Sequence, residues 1–166
     1  MPLNKDILMP YKKRIFIETG TQIGNGIDTA MYVGFEEIWS IEANIELYAK
    51  CRERFKDNPK VKIIGGDARE RFPILMKRID EPATIWLDAH GPQLSTLIEE
   101  LKALGEHEIK THTIMIDDIR LFKEHYWKDL PIYDGIVELI KGINPDYKIE
   151  LIDSTHFKED ILVAKI

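Results

Sequence analysis

The stretch Phe16-Ile17-Glu18-Thr19-Gly20-Thr21-Gln22-Ile23-Gly24-Asn25-Gly26 decides the fold. Its apolar start, with Ile15 ahead of it, predicts a strand over Arg14–Glu18, and the glycine-bearing turn Gly20–Gly26 leads into a helix that Gly34 can stop. Glycines remove the side-chain obstruction to close backbone approach, and the following helix N-terminus offers free amides to an anion. This strand-turn-helix is the first of a series.

Further along, short apolar runs predict strands over Glu37–Glu42, Val61–Ile64, Thr84–Asp88 and Thr113–Asp117, each followed by a segment of helical period. Asn44 is placed to cap a helix whose Leu47, Tyr48, Cys51 and Phe55 share one face. Gly65, Gly66 and Asp67 turn into a helix through Ile79, with Pro73 near its first turn, and Thr96 with Glu99 reads as a capping box ahead of the inward stripe Leu97, Leu101 and Leu104. A connection containing Phe122, Tyr126 and Trp127 precedes a helix through Ile143. The last two strands, Tyr147–Ile152 and Asp160–Ile166, are too close in sequence for a crossover and must run antiparallel. The expected architecture is α/β: a doubly wound, seven-stranded, mostly parallel sheet with an antiparallel last strand, forming one domain over residues 14–166 behind a lead-in, 1–13.

Composition narrows the partners. With 166 residues, 44% hydrophobic and 31% charged, the chain suits one globular domain. A net charge of −6 gives no broad attraction to nucleic acid, and the basic cluster Lys12, Lys13 and Arg14 reads as a solvated strand entrance. Cys51 is the one cysteine, which excludes an intrachain disulfide and a cysteine-rich zinc site. Without a secretory or membrane-spanning run, the expectation is a cytoplasmic protein with a small-molecule acceptor and neither nucleic-acid nor membrane partners.

Glu18, Glu42, Asp88 and Asp117 stand at the ends of four of the first five strands, and Asp67 follows the remaining one, so five acids converge on one rim. A doubly wound sheet binds ligands there. Glu42 is placed to accept hydrogen bonds from two ribose hydroxyls, which also fits a dinucleotide. Against that rival, the glycines follow the spacing Gly, three residues, Gly, one residue, Gly, and Glu18 just ahead would repel a pyrophosphate. His90, just past Asp88, reads as a general base, a metal ligand or a polar loop residue, whereas His107, His112 and His156 read as solvent-facing or turn residues.

The whole pattern from Arg14 to Ile166 resembles the class I S-adenosylmethionine-dependent methyltransferases. FIETGTQIGNG looks like their first motif, SIEAN like the ribose-binding acid motif, and GGDARE like the turn set against adenine. The resemblance implies Glu18, Gly20, Gly24, Glu42 and Asp67 as cofactor residues, and Thr21, Ala68 and Asp88 beside them complete the candidate set. WLDAH and MIDDIR are similar to the metal-site motifs of catechol-type O-methyltransferases, which implies Asp88, Asp117 and Asp118 as magnesium ligands; His90, by its place beside Asp88, joins Asp88 as a candidate catalytic residue. Asp118 stands where those enzymes commonly have asparagine, and the helices they carry ahead of the first strand have no counterpart in the dozen residues here.

The expected function is methyl transfer from S-adenosylmethionine to a small hydroxylated acceptor, a sugar or phenolic compound, with a divalent cation. The alternatives are a cofactor-binding regulatory module and a nicotinamide-dependent oxidoreductase. An uncovered rim invites a second copy, so a homodimer is expected.

Overall fold

The computed structural model describes residues 3–89, 95–123, 125–127 and 130–166. They contain a seven-stranded sheet formed by β1 (Ile15–Thr19), β2 (Glu37–Glu42), β3 (Val61–Gly65), β4 (Ala83–Leu87), β5 (Thr113–Ile116), β6 (Lys148–Ile152) and β7 (Ile161–Lys165), in the order β3-β2-β1-β4-β5-β7-β6. The first five pair in parallel, and β7 runs antiparallel to both its neighbours, with Met115 opposite Val163 and Glu150 opposite Val163. Strand order reverses between β1 and β4, which opens a crevice at their carboxyl ends.

All five residues of β1 are buried because helices cover both faces. Ile15 and Ile17 face a core shared with α4 (Ala68–Met76), α5 (Ser95–Glu106) and α6 (Ile132–Ile143), while Phe16 faces α2 (Asn25–Val33) and α3 (Ile45–Arg54). Gly34 closes α2 in the left-handed conformation and Asn44 caps α3 through its side chain, as their positions predict. Cys51 is buried, in keeping with a packing role. Ahead of β1, α1 (Lys5–Leu8) drives Leu8 into the second core, and the Tyr11 hydroxyl donates to Glu150 Oε1 at 2.8 Å.

Three local readings are corrected. Thr96 lies inside α5 rather than ahead of it, and Glu99 accepts from Lys102 at 2.7 Å one turn on. Pro73 stands in the second turn of α4, not the first, and the helix ends soon after at Met76. His112 is buried rather than solvent-facing, because it lies directly under the start of β4. There the Ala83 N–H donates to His112 Nδ1 at 3.1 Å, His112 Nε2 meets His107 Nδ1 at 2.9 Å, and His107 Nε2 meets the Ile79 carbonyl at 3.0 Å. An accepting Nδ1 on neutral His112 forces Nε2 to donate, and the same logic makes His107 donate to Ile79.

Burial first, then the neighbouring His107, lowers the pKa of His112 from 6.5 to about 4. Its folded-state value is depressed, so its contribution is complete above about pH 6.5 and is lost as pH falls towards 4. The loss amounts to about 3 kcal/mol at most. Replacing His112 with glutamine removes that part of the pH dependence, which thermal unfolding at pH 4 and pH 6.5 measures; an unchanged slope would disprove it.

Candidate functional site

Beyond β1 the chain turns sharply and is tied to β2. Gly20 and Thr21 both donate their N–H groups to the Ile41 carbonyl, at 2.9 and 3.3 Å, and Gly24 N–H closes the turn on Thr21 O at 2.9 Å. Gly20 has φ +86°, and a Cβ on it would lie 2.7 Å from the Asp88 carbonyl oxygen, so the first turn and the end of β4 abut backbone to backbone.

Glu42 fastens this turn to the next one. Its Oε2 accepts from Gln22 N–H and its Oε1 from Asn44 N–H, each at 2.8 Å, and little of the residue reaches solvent. The carboxylate thus already orders two loops at the rim, and each oxygen keeps a further lone pair for a ligand hydroxyl.

Glu18 lies one layer deeper. Ser40 Oγ donates to Glu18 Oε1 at 2.7 Å, and Thr21 Oγ1, itself buried, hydrogen-bonds Ser40 Oγ. Its other oxygen occupies the space where a Cβ on Gly26 would sit, which explains that glycine. Burial first, then nearby Asp88, Glu42 and Asp28, opposed by the Ser40 hydrogen bond, pushes its pKa to about 8.

Asp67 caps α4, accepting from Arg69 N–H at 2.9 Å, and pairs with the Arg69 guanidinium at 2.5 Å; that pairing holds its pKa below the ordinary value. Ala68 begins α4 and is buried.

On the other side of the crevice one carboxylate oxygen from each of Asp88, Asp117 and Asp118 lies within 4.8 Å of the others. Burial, then the Asp118 charge, raises Asp88 to about 7, and burial, then the Asp88 charge, raises Asp117 to about 8. Asp118 sits at φ +52°, held by its N–H on Asp117 Oδ1 at 2.8 Å, and its own Oδ1 accepts from Arg120 Nη1 at 2.6 Å. Arg120 also pairs with buried Asp160, just before β7, and lies 4.0 Å over the Phe157 ring.

No protein-family model and no curated protein matches the chain. Solved structures do. An O-methyltransferase from Bacillus cereus in complex with SAH is 15% identical over 98% of this chain and 78% of its own, with a TM-score of 0.68. TomG, the O-methyltransferase of tomaymycin synthesis from Streptomyces achromogenes in complex with SAM, gives 0.70 at 15% identity over 98% and 77%. The chain has the class I methyltransferase fold. An rRNA methylase from Streptococcus thermophilus matches it over 97% of this chain and 92% of its own, with a TM-score of 0.57 and 18% identity, so the methyltransferase fold by itself does not select an acceptor.

Within this methyltransferase fold the residues read from sequence fall into two groups. Gly20, Thr21, Gly24, Glu18 and Glu42 meet around the first turn, and Asp88, Asp117 and Asp118 meet across the crevice, whereas Asp67 turns to Arg69. His90 lies outside the described residues. Sequence reasoning missed Ser40, Arg120 and Asp160, whose roles depend on contacts made across the fold. Only Arg120 carried a signal, a cation two residues past two adjacent acids.

Proposed function

We propose that the chain is an S-adenosylmethionine-dependent methyltransferase acting on the oxygen of a small hydroxylated acceptor, a sugar or phenolic compound, with a divalent cation at the three aspartates. The observation that supports this reading best is the abutment of the glycine turn on the end of β4: it sets a loop suited to a nucleoside ligand directly beside a cluster suited to a cation.

The residues fit both groups. The backbone of Gly20–Gly24 would receive the methionine carboxylate, Glu42 the ribose hydroxyls, and Asp67 with Ala68 the adenine edge. Asp88, Asp117 and Asp118 offer hard oxygen donors within 4.8 Å of one another, which would draw together around a magnesium ion, and that ion would lower the pKa of an acceptor hydroxyl. The chain's own work is alignment: Glu42 ties the first turn to the loop after β2, and Arg120 restrains Asp118 by pairing with its Oδ1. With a cation's charge opposite them, Asp88 and Asp117 would be ionised at neutral pH despite burial.

Calorimetric titration with S-adenosylmethionine, S-adenosylhomocysteine and nicotinamide dinucleotides tests the cofactor. Glu42→Ala is expected to weaken binding by about 1.5–3 kcal/mol; tight dinucleotide binding with none of S-adenosylmethionine rejects the assignment. Methyl transfer to a panel of catechols and sugars, measured with magnesium and with chelator, tests the cation. Asp117→Asn is expected to lower turnover by about 10–100-fold and Asp118→Asn by less, because an asparagine oxygen still serves as a ligand there, and His90→Ala in the same assay tests a general base. Turnover that ignores both chelator and substitutions removes the metal and leaves the cofactor reading intact. Cofactor binding with no transfer to any acceptor favours a regulatory module. We also propose a homodimer, which light scattering at monomer mass alone would reject.

A further inference from the structure

α5 points Leu97, Leu101 and Leu104 into the core, and Glu100 shares their face. It is wholly buried, and neither carboxyl oxygen has a hydrogen-bond partner of normal geometry among the described residues. A methionine or leucine there would complete the apolar stripe without the cost of removing a carboxyl from water. Such a break in a local pattern calls for a compensating role.

The surroundings of Glu100 define that role. The polar group beside it is the Thr19 hydroxyl at the end of β1, and the candidate site acids Asp88 and Asp67 are the charges that reach it. Thr19 Oγ1 accepts the Asp88 N–H at 3.3 Å, so its own proton remains to be given. Glu100 is the acceptor beside it. Burial keeps the Glu100 pKa at about 8, which leaves the carboxyl mostly uncharged at neutral pH and tolerable in the core.

We propose that Glu100 is a positioning residue of the cofactor site, acting through the Thr19 hydroxyl to hold the backbone that carries Asp88. The proposal rests on the cofactor reading above and adds a residue to it from the far side of the sheet. It makes Glu100 a group that costs the empty protein stability and returns it as affinity.

The test is S-adenosylhomocysteine titration and thermal unfolding of the parent, Glu100→Met, Glu100→Gln, Thr19→Val and the Glu100→Met/Thr19→Val double variant. Glu100→Met is expected to raise the unfolding midpoint of the ligand-free protein by about 2–6 °C, yet to weaken S-adenosylhomocysteine binding by about tenfold. Glu100→Gln keeps an acceptor and should recover most of that affinity. Thr19→Val should lose as much as Glu100→Met, and the double variant no more than either, because both cut one chain of contacts. A Glu100→Met protein that binds as tightly as the parent, or that unfolds at a lower temperature, overturns the proposal, and so do losses that multiply in the double variant. If Glu100→Met does not fold, Thr19→Val decides: parent affinity in that variant is fatal. A parent that binds no S-adenosylhomocysteine overturns the cofactor reading and this proposal with it, a result distinct from variants that match a binding parent.

Discussion

Glu18→Gln is expected to raise the unfolding midpoint of the ligand-free protein by about 10 °C at pH 9, while at pH 4.5 the variant and its parent unfold within about 2 °C of each other. Glutamine has the shape of the acid and keeps an oxygen for the Ser40 hydroxyl, so the substitution removes the ionisation and little else. Glu18 is buried and its pKa rises from 4.5 to about 8, the burial outweighing Ser40. A folded-state value raised above the unfolded one means that the folded protein holds the proton more tightly. Its contribution is therefore full below about pH 4.5 and is lost as pH climbs to 8. At about 1.4 kcal/mol per pH unit the loss is on the order of 3–5 kcal/mol. Parallel midpoint curves for the two proteins between pH 4.5 and 9 would show that Glu18 is not titrating as argued.

Gly20→Ala is expected to cost about 3–5 kcal/mol of stability and to abolish S-adenosylmethionine binding. Gly34→Ala serves as its control. Both glycines have φ +86°, so both substitutions incur the left-handed penalty of about 1–2 kcal/mol. They differ in what the new methyl group meets: at Gly34 the nearest atom is the mobile end of Lys12 at 3.3 Å, at Gly20 the Asp88 carbonyl oxygen at 2.7 Å. A backbone carbonyl held in the middle of the sheet rim cannot step aside without moving both the turn and the aspartate cluster. Denaturant unfolding and calorimetry on the two variants separate the effects; equal losses, or a Gly20→Ala protein that binds the cofactor normally, would contradict the close approach.

The sheet was legible because buried parallel strands are written as continuous apolar runs, Ile15-Phe16-Ile17 and Ile85-Trp86-Leu87 among them, and because the short link between β6 and β7 permits one geometry only. The aspartate cluster was legible as well, since adjacent strand ends bring Asp88 and Asp117 together whatever the side chains do. What the sequence could not say is which acids stay free for a ligand. Glu18, Glu42 and Asp67 look equivalent along the chain, yet one is sunk against Ser40, one ties down two amides, and one caps a helix beside Arg69. Those fates are set by partners outside any local window. His112 went the same way: an imidazole between polar neighbours reads as a surface residue until the start of β4 is laid over it.

The place of β7 between β5 and β6 carries a consequence for how the protein is made. β6 leaves the ribosome before β7, yet the two strands that flank the gap cannot join until β7 is threaded between them. The same late segment delivers Asp160, the counter-charge of Arg120, and with it the brace on Asp118. A growing chain therefore owns its glycine turn from the first strands onward but completes the surroundings of the aspartate cluster only when β7 is inserted. Arrested chains that stop short of Ile161 should be protease-sensitive from β5 onward, and the two halves of the crevice should mature in sequence rather than together.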